Sequence, residues 1–519
     1  MAILNSKINS LKIVNELNET LALQNIGYCH WKSNEHVDAA VQGKTDLDVL
    51  VDKAKQTELE AVLKTLDFKH FEAVPYRRYL NIEDYVTIDK ETGVLVHLHL
   101  HYQLDLGEKQ IKGYHFPWES LLLSSRIYDD EHQIYISEPN IEIILLIVRV
   151  TLKVRNRDHI QRFLGHNYFE GDFVRELQWL KARIDLAKVK QLSDELLGED
   201  ASALILEMIS SKDNDFNKLL SPTNPIWSAV KKYRLNPPGI ATILRWGKES
   251  QIHGYRVLKK LSQGPVLTRR TPVTGGMIVA VLGADGSGKS TTTTEITRCL
   301  AKKVDVFPVY LGSGDGKASI LRQPLILMSR VVNAVRSPQS STPSVEGTKA
   351  SLQRSAQVGL HKNGKRSMLS SLGKILWAVI LTYEKQNKLK QAYRAREKGM
   401  IVVCDRYPQT QFLGFNDGPL LGHENDHSSK LLKILRQWEL RAYQQMTETM
   451  PPDLVIKLNV TPEIALARKS DTPPDIVQRK VTAVKALAFP PQTTVIDINA
   501  EQPLNDVLVT AKRAVWENL

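Results

Sequence analysis

Cysteine is scarce in this chain of 519 residues, which holds only Cys29, Cys299 and Cys404. Their wide spacing fits neither a disulfide framework nor a paired-cysteine metal site, so the sequence predicts a reducing, cytoplasmic environment. Long apolar runs are also missing, since none approaches the roughly 18 residues that a membrane-spanning helix needs. The opening residues, MAILNSKINSLK, contain no apolar core of a signal peptide. We therefore expect a chain without a membrane span.

Acidic residues are outnumbered, with 57 against 69 lysines and arginines, which gives a net charge of +12 and a pI of about 9.3. The excess can reflect phosphate-ester sites together with one basic segment, or an affinity for a polyanion. We favour the first explanation, because charge alone argues for non-specific attraction and the sequence contains no dedicated nucleic-acid-binding motif. The length predicts roughly three domains.

One glycine-rich stretch organises the chain. Residues 283–290, GADGSGKS, match the phosphate-loop pattern G-x-x-x-x-G-K-[ST] at each fixed position. The apolar run 278–282 predicts a preceding strand, and residues 291–301 predict a following helix. Glycines let backbone N–H groups turn towards an anion, and the helix N-terminus adds its dipole. We therefore expect ATP to bind through Gly283, Asp285, Gly286, Ser287, Gly288, Lys289, Ser290 and Thr291.

Phosphoryl-transfer chemistry assigns roles to several side chains near this loop. Lys289 is expected to reach the β- and γ-phosphates, and the Ser290 hydroxyl is expected to bind Mg²⁺. The apolar strand 400–404 leads directly into Asp405 and Arg406. A carboxylate at the carboxyl end of a parallel strand can organise Mg²⁺ or receive a proton, and an arginine beside it can hold a phosphoryl oxygen.

A basic stretch further along the chain predicts a mobile cover for the reacting phosphoryl group. Arg468 ends a predicted helix that starts at 461–463, and Arg479 follows in the polar segment SDTPPDIVQRK. Each of these arginines can alternatively be a solvated helix end. The alternation of strands and helices from residue 277 onwards predicts an α/β fold with a doubly wound parallel sheet.

Four blocks in this half resemble the thymidylate kinase family of nucleoside monophosphate kinases. They are GADGSGKST, VVCDRYPQT, PPDLVIKLNVTPEIALARK and VIDINAEQPLNDVL, in that order. The resemblance implies that Asp285 contacts an acceptor hydroxyl, that Asp405 and Arg406 serve the acceptor phosphate and the metal, and that Arg468 enters a lid. The family's Arg-x-Pro-Gly-Gly-Thr segment is replaced by LGSGDGK at 311–317. The acceptor is therefore expected to differ from dTMP and to be another nucleoside monophosphate, or a sugar or polyol for glycan synthesis.

The N-terminal part of the chain contains a different motif, a pair of acidic residues. Asp46 and Asp48 flank Leu47 at the start of the apolar run 49–51, so both carboxylates lie on one face of a short strand. Paired acids at this spacing can hold divalent cations against a triphosphate, or they can form a solvated strand edge. With the Trp31-Lys32-Ser33 turn that precedes them, they resemble the DNA polymerase beta superfamily of nucleotidyltransferases.

The third carboxylate of that superfamily is expected on the predicted strand 94–104, VLVHLHLHYQL, which holds no acid. Its polar residues are His97, His99 and His101, with His99 near the expected position. If the strand is regular, the three imidazoles share one face and could bind a transition metal. A half-exposed strand would also tolerate them without a ligand.

These observations predict an α+β nucleotidyltransferase-like domain, a helical region and a phosphate-loop domain. The serine-, arginine- and lysine-rich insert in the last domain is expected to be a solvated flap, or alternatively a binding surface that closes over a charged acceptor. The expected boundaries are 1–135, 136–260, a linker at 261–276, and 277–519 with the insert at 319–371.

The sequence thus predicts an ATP- and Mg²⁺-dependent kinase whose partner is a small-molecule phosphoryl acceptor. A homodimer is compatible with this reading. Two alternatives remain open: a nucleotide-binding regulatory protein without an acceptor, and a bifunctional kinase and nucleotidyltransferase acting at Asp46 and Asp48.

Overall fold

A computed structural model describes residues 10–107, 110–154, 171–211, 218–219, 221, 223–262, 264–312, 368–414, 417–421, 430–470 and 472–519. The chain divides into two compact units. The first unit comprises Met1–Leu261 with Thr268–Val273, and the second comprises Ser262–Leu267 with Thr274–Leu519. Most of the predicted basic insert, 319–367, lies outside the described residues.

The first unit is built on a mixed sheet. Its strands are β1 Tyr28–His30, β2 Leu47–Val51, β3 Lys69–Ala73, β4 Ile82–Ile88, β5 Leu95–His101, β6 Leu104–Leu106, β7 Tyr114–Phe116, β8 Ile127–Asp129, β9 Ile134–Ile136 and β10 Arg270–Pro272. Eight of the described strands form one sheet in the order β10-β3-β4-β5-β2-β1-β9-β8, while β6 pairs with β7. Strands β2 and β5 run parallel, and β4 pairs antiparallel with β5.

Helices of the first unit cover this sheet and extend beyond it. They are α1 Lys12–Leu23, α2 Val37–Val41, α3 Gln56–Thr65, α4 Glu119–Ser125, α5 Pro139–Lys153, α6 Asp172–Lys181, α7 Leu186–Leu197, α8 Glu199–Ser210, α9 Pro225–Ala229 and α10 Pro238–Leu261. Short 3₁₀ turns lie at Asn34–His36, Lys53–Lys55, Pro75–Arg77 and Val230–Tyr233.

Side chains along β5 alternate between the two faces of the sheet. Val96, Leu98 and Leu100 belong to a buried core that includes apolar residues of α1 and α3. Because successive side chains of a strand point to opposite faces, the three histidines of β5 share the other face. The sequence expectation of a regular strand is confirmed over Leu95–His101. A polar cluster can therefore form on one side of a sheet whose other side is apolar.

Helix α5 is strongly apolar and lies in the second core of the first unit. Its start is specified by the sequence, because Pro139 is the first helical residue and the Glu138 carboxylate accepts hydrogen bonds from the N–H groups of Asn140 (3.1 Å) and Ile141 (3.3 Å). Helices α5, α6, α7 and α8 share this core.

The second unit contains a wholly parallel sheet among the described residues. Its strands are β11 Met277–Gly283, β12 Val306–Tyr310, β13 Ile401–Asp405, β14 Leu454–Asn459 and β15 Thr494–Asn499, in the order β12-β13-β11-β14-β15. Its helices are α11 Lys289–Leu300, α12 Met368–Glu397, α13 Lys430–Thr449, α14 Pro462–Arg468, α15 Pro474–Ala486 and α16 Leu504–Glu517. Numbered within the unit, the strand order is 2-3-1-4-5, so the first strand lies at the centre.

The central strand β11 is buried along almost its whole length. Ile278, Ala280 and Leu282 lie in a core with α12 and α13, while Val279 and Val281 are fully buried on the opposite face. A parallel strand buried on both faces needs helices on both sides of the sheet, which explains its continuous apolar sequence. The predicted α/β class with a parallel sheet is confirmed.

Two details of the helix and linker predictions differ from the structure. Apolar residues recur with helical spacing over 173–197, which predicts helix there, but the structure has two helices, α6 and α7, separated at residues 182–185. The stretch predicted as a linker contains β10, which pairs antiparallel with β3 of the first unit. Within the described residues, no helix is long and apolar enough to cross a membrane.

Candidate functional site

The turn between β11 and α11 carries the sequence motif at the carboxyl edge of the parallel sheet. Gly286 has a φ of 84°, and a β-carbon there would lie 2.5 Å from the carbonyl oxygen of Ala465. A β-carbon at Gly283 would collide with the Ser287 side chain. Both glycines are therefore required by close contacts, and the turn brings the N-terminus of α11 to the mouth of the loop.

Lys289 is the buried cation of this loop. Its ammonium donates to the carbonyl oxygen of Ala284 at 3.1 Å and lies 3.4 Å from the Asp285 carboxylate. Burial and the nearby Arg406 lower the pKa of Lys289 to about 8. Its charge is thus held within the loop, where an anionic ligand would stabilise it.

Three cationic side chains contact the Asp285 carboxylate. Lys480 Nζ lies 2.6 Å from Asp285 Oδ2, and Arg406 and Lys289 each lie 3.4 Å from Oδ1. Burial alone would raise the pKa of Asp285, but the three positive charges outweigh it and hold that pKa well below its usual range. The carboxylate is therefore ionised and fixes the cations around the loop.

Ser290 and Asp405 meet directly, although 115 residues separate them in the chain. The Ser290 hydroxyl donates to Asp405 Oδ2 at 2.8 Å. Asp405 is buried at the end of β13, and its Oδ1 has no hydrogen-bond partner among the described residues. A hydroxyl and a carboxylate with one unmatched oxygen form a donor set that suits Mg²⁺. The pair therefore fits the metal site that the sequence predicted.

Arg406 follows Asp405 with a left-handed backbone conformation, φ 73°. Its guanidinium contacts Asp417 Oδ2 at 3.2 Å and Asp285 Oδ1 at 3.4 Å. Burial would lower the pKa of Arg406, but the two carboxylates raise it above its ordinary value. Left-handed conformation in a large residue costs free energy and often marks functional positions. From this position the Arg406 guanidinium reaches Asp285 of the loop.

Loop residues on the α11 side remain accessible. Ser290 and Thr291 are exposed in the first turn of α11, whereas Ser287 is buried. The Ser287 hydroxyl has no hydrogen-bond partner in the part of the chain that the structure describes. Gly288, at φ 86°, is the residue before the helix, and a glycine-rich turn that leads into a helix N-terminus suits a phosphate chain.

The two arginines predicted to form a lid, Arg468 and Arg479, have surroundings that differ from those of Lys289, Asp405 and Arg406. Arg468 donates to the carbonyl oxygen of Ala500 at 2.8 Å, at the end of α14. Arg479 is exposed on α15, while its neighbour Lys480 is buried and reaches Asp285. The structure therefore brings together Lys289, Asp405 and Arg406, and it adds Lys480.

A second polar cluster lies in the first unit. Asp48 Oδ1 lies 2.8 Å from Lys32 Nζ, 2.9 Å from His99 Nδ1 and 3.5 Å from His101 Nε2. Burial would raise the pKa of Asp48, but Lys32 and the two imidazoles hold that pKa well below its usual range. Burial lowers the pKa of both His99 and His101. The cluster thus combines an ionised carboxylate with two neutral imidazoles.

Asp46 belongs to a chain of contacts beside this cluster. His97 Nδ1 lies 2.7 Å from Asp46 Oδ1, and His97 Nε2 lies 2.8 Å from Asp84 Oδ1. Arg270 Nε approaches Asp84 Oδ2 at 2.8 Å. Burial would lower the pKa of His97, but hydrogen bonds to the two carboxylates raise it. Asp84 therefore supplies a third carboxylate from β4, next to the strand on which the sequence led us to expect it.

The sequence did not single out Asp84 or Arg270 as site residues. It also did not predict that Lys480 is buried and contacts Asp285. Asp84 follows Glu83 in the strand IEDYVTI, and its neighbours in space depend on the antiparallel pairing of β4 with β5. Arg270 lies in a stretch rich in proline and glycine that reads as a linker. The helical phase of α15 could have singled out Lys480, because Val477, Val481 and Val484 mark its buried face.

Comparison with known proteins supplies relatives for about half of the chain, although no family model matches it. An uncharacterized ATP-binding protein, YghR, of Escherichia coli (strain K12) is 30% identical over 245 residues, which cover 46% of this chain and 86% of YghR. YghR of Escherichia coli O6:H1 gives the same values. An uncharacterized ATP-binding protein, YghS, of strain K12 is 26% identical over 246 residues, 47% of this chain and 93% of YghS. The chain therefore belongs to the family that includes YghR.

Proposed function

We propose that this protein is an ATP- and Mg²⁺-dependent phosphotransferase of the thymidylate kinase-like class, which transfers the γ-phosphoryl group to a small acceptor. The observation that carries the proposal is the 2.8 Å contact between Ser290 Oγ and Asp405 Oδ2 beside the buried Lys289. Phosphoryl transfer requires a loop hydroxyl and a strand-end carboxylate beside the same metal ion. The contact brings two such groups together. The names of the YghR and YghS relatives, which are ATP-binding proteins, support the nucleotide.

The loop's own groups explain how the donor would be held. The N-terminus of α11 and the Ser287 hydroxyl would bind phosphate oxygens, and Lys289 would place its ammonium between the β- and γ-phosphates. When bound, Mg²⁺ would neutralise charge that develops on the phosphate oxygens. Ser290 and Asp405 are the residues that would hold it.

The acceptor side is defined by Arg406, Lys480 and Asp285. A phosphoryl group in transfer is loosely bonded and spreads negative charge over its oxygens, so charge compensation matters more than covalent chemistry. Arg406 and Lys480 supply two cations that Asp285 holds in place. Asp285 would also accept a hydrogen bond from an acceptor hydroxyl once a substrate displaces one of these cations. Arg468 would join only when α14 closes over the bound donor, and the exposed Arg479 has no part in this proposed arrangement.

A transfer assay tests this function. ATP labelled at the γ-phosphate would be offered with nucleoside monophosphates, sugars, sugar phosphates and polyols, with separation of labelled acceptor from free phosphate. One acceptor class should become labelled, and Lys289→Ala and Asp405→Asn should each reduce the rate by about 10²–10³-fold, because the first removes a cation that compensates transition-state charge and the second removes a carboxylate that would hold Mg²⁺.

The matched control is Lys390→Ala, which removes an exposed lysine of α12 and should leave the rate unchanged. Slow ATP hydrolysis that no acceptor alters would favour a nucleotide-dependent regulatory protein. Transfer that continues in Lys289→Ala would contradict the assigned site.

A further inference from the structure

Three side chains of the first unit converge from neighbouring parallel strands. Asp48 on β2 is directly opposite His99 on β5, and Leu50 is opposite His101, so Asp48, His99 and His101 lie on one face of the sheet. One ligand atom from each lies within 4.8 Å of the other two. We propose that Asp48, His99 and His101 form a binding site for a divalent transition-metal ion such as Zn²⁺.

His101 provides the observation that calls for a ligand. The residue is 0% exposed, and neither ring nitrogen has a hydrogen-bond partner among the described residues. Its Nε2 faces Asp48 Oδ1 at 3.5 Å, which is too long for a good hydrogen bond. Burying an imidazole without partners costs free energy, and a metal bond to Nε2 would satisfy it.

The spacing of the ligand atoms matches a metal site. Metal bonds of about 2.0–2.2 Å to imidazole nitrogen and carboxylate oxygen place tetrahedral ligand atoms roughly 3.3 Å apart. Asp48 Oδ1 lies 2.9 Å from His99 Nδ1 and 3.5 Å from His101 Nε2. Two nitrogens and one oxygen form a set preferred by zinc and its neighbours, whereas Mg²⁺ prefers oxygen ligands alone.

Outer groups and solvent access complete the site. Asp84 Oδ1 lies 4.0 Å from His99 Nε2, beyond hydrogen-bond distance, and adds a second negative charge near the site. His99 also lines a cavity of about 1030 Å³ in the first unit, together with Lys32, Lys112 and Arg270. The metal would therefore keep a coordination position open towards a basic cavity, which suits an anionic co-ligand.

Lys32 competes with the metal in this arrangement. Its ammonium lies 2.8 Å from the Asp48 oxygen that would bind the ion, and its side chain is 20% exposed at the cavity wall. A metal would displace this ammonium into the cavity. Removing the charge with Lys32→Met should therefore tighten metal binding by about tenfold or more.

The test is a titration of metal-depleted, full-length protein with Co²⁺ in excess Mg²⁺, followed by the visible absorption of tetrahedral cobalt. Excess Mg²⁺ occupies sites made of oxygen ligands and does not compete well for imidazoles. One Co²⁺ should bind per chain and be displaced by Zn²⁺. His99→Gln and His101→Gln should each weaken binding by at least about 100-fold.

The matched control is His132→Gln, which removes another buried histidine of the same unit, paired with Asp129 at 2.7 Å. It should bind Co²⁺ as the wild type does. Should the buried His101 variant fail to fold, His99→Gln, at the cavity wall, decides the question. No cobalt band in excess Mg²⁺, a band retained in His99→Gln, or weaker binding by Lys32→Met would overturn the proposal.

Discussion

Asp285 shows how one residue sets the electrostatics of the second unit. Lys289, Arg406 and Lys480 come from α11, the end of β13 and α15, and all three contact its carboxylate. Three cations so close together would repel one another without it. Asp285 therefore allows the loop to keep a concentrated positive charge before any phosphate binds.

The neighbouring residues Lys480 and Arg479 offer a direct comparison. Lys480 is buried at 2.6 Å from Asp285, whereas Arg479 is exposed. Lys480→Ala should lower kcat for phosphoryl transfer by about 100-fold, because it removes a cation near the transferring group. Arg479→Ala should change kcat by no more than about twofold, as most surface substitutions do.

Steady-state kinetics of the two variants with one acceptor would separate the roles. A larger loss in Arg479→Ala than in Lys480→Ala would show that α15 turns its other side towards the substrate. Circular dichroism on both proteins would confirm that neither substitution unfolds the chain.

At the scale of elements, helix α5 carries a buried acid that its apolar sequence does not explain. Glu142 is fully buried and accepts hydrogen bonds from the Asn34 backbone N–H (3.0 Å), the Asn34 side chain (2.6 Å) and Ser137 (2.9 Å). The contacts fix the turn after β1 to the first turn of α5. Glu176 of α6 lies near enough to disfavour a second negative charge.

Burial raises the pKa of Glu142 from 4.5 to about 7, with a further contribution from Glu176. Because the folded state holds this proton more tightly than the unfolded state, the contribution to stability is full below about pH 4.5 and falls as the pH rises to about 7. The free energy of unfolding should drop by roughly 3 kcal/mol across this range, since a tenfold change in proton affinity corresponds to about 1.4 kcal/mol.

Hydrogen exchange of peptides from Pro139–Lys153, corrected for intrinsic rates, would measure this loss in the full-length protein. The pH dependence should be absent in Glu142→Gln, which cannot ionise, whatever that variant's absolute stability. Equal slopes in the two proteins would contradict the assignment.

Elements whose pattern is local were predictable from the sequence. The strand before the loop and the run into Asp405 are buried apolar segments, which the structure places at Met277–Gly283 and Ile401–Asp405, and the helix expected after the loop is Lys289–Leu300. The break between α6 and α7 was missed because apolar residues continue with helical spacing through it. Local periodicity therefore specified the type of each element better than its ends.

At the scale of the whole molecule, the pairing of strands that are distant in the chain determines which polar side chains meet. The strand order brings β13 beside β11, which joins Ser290 to Asp405, and it brings β4 beside β5, which joins Asp84 to His97. The first junction was expected from the motif, since a phosphate loop and a strand-end acid belong to one edge of a sheet. The contact between Asp84 and His97 could not be predicted from local sequence, because the sequence does not show which strand pairs with β5.

Each unit therefore carries its own cluster of charged groups around its own sheet. The second unit's cluster explains the residues that the sequence motif singled out, and the first unit's cluster explains why histidines alternate along β5. The net charge of +12 is consistent with phosphate-binding groups in the loop and a basic cavity in the first unit.

We propose that a triphosphate binds between Gly283 and Ser290, with Mg²⁺ held by Ser290 and Asp405. Isothermal titration calorimetry of the full-length protein with ATP, with and without Mg²⁺, tests it most directly. We expect one ATP to bind per chain, more tightly with Mg²⁺, and we expect Lys289→Ala to lose binding and Asp405→Asn to lose the Mg²⁺ dependence. Absence of heat with Mg²⁺-ATP, or unchanged binding by Lys289→Ala, would contradict the account.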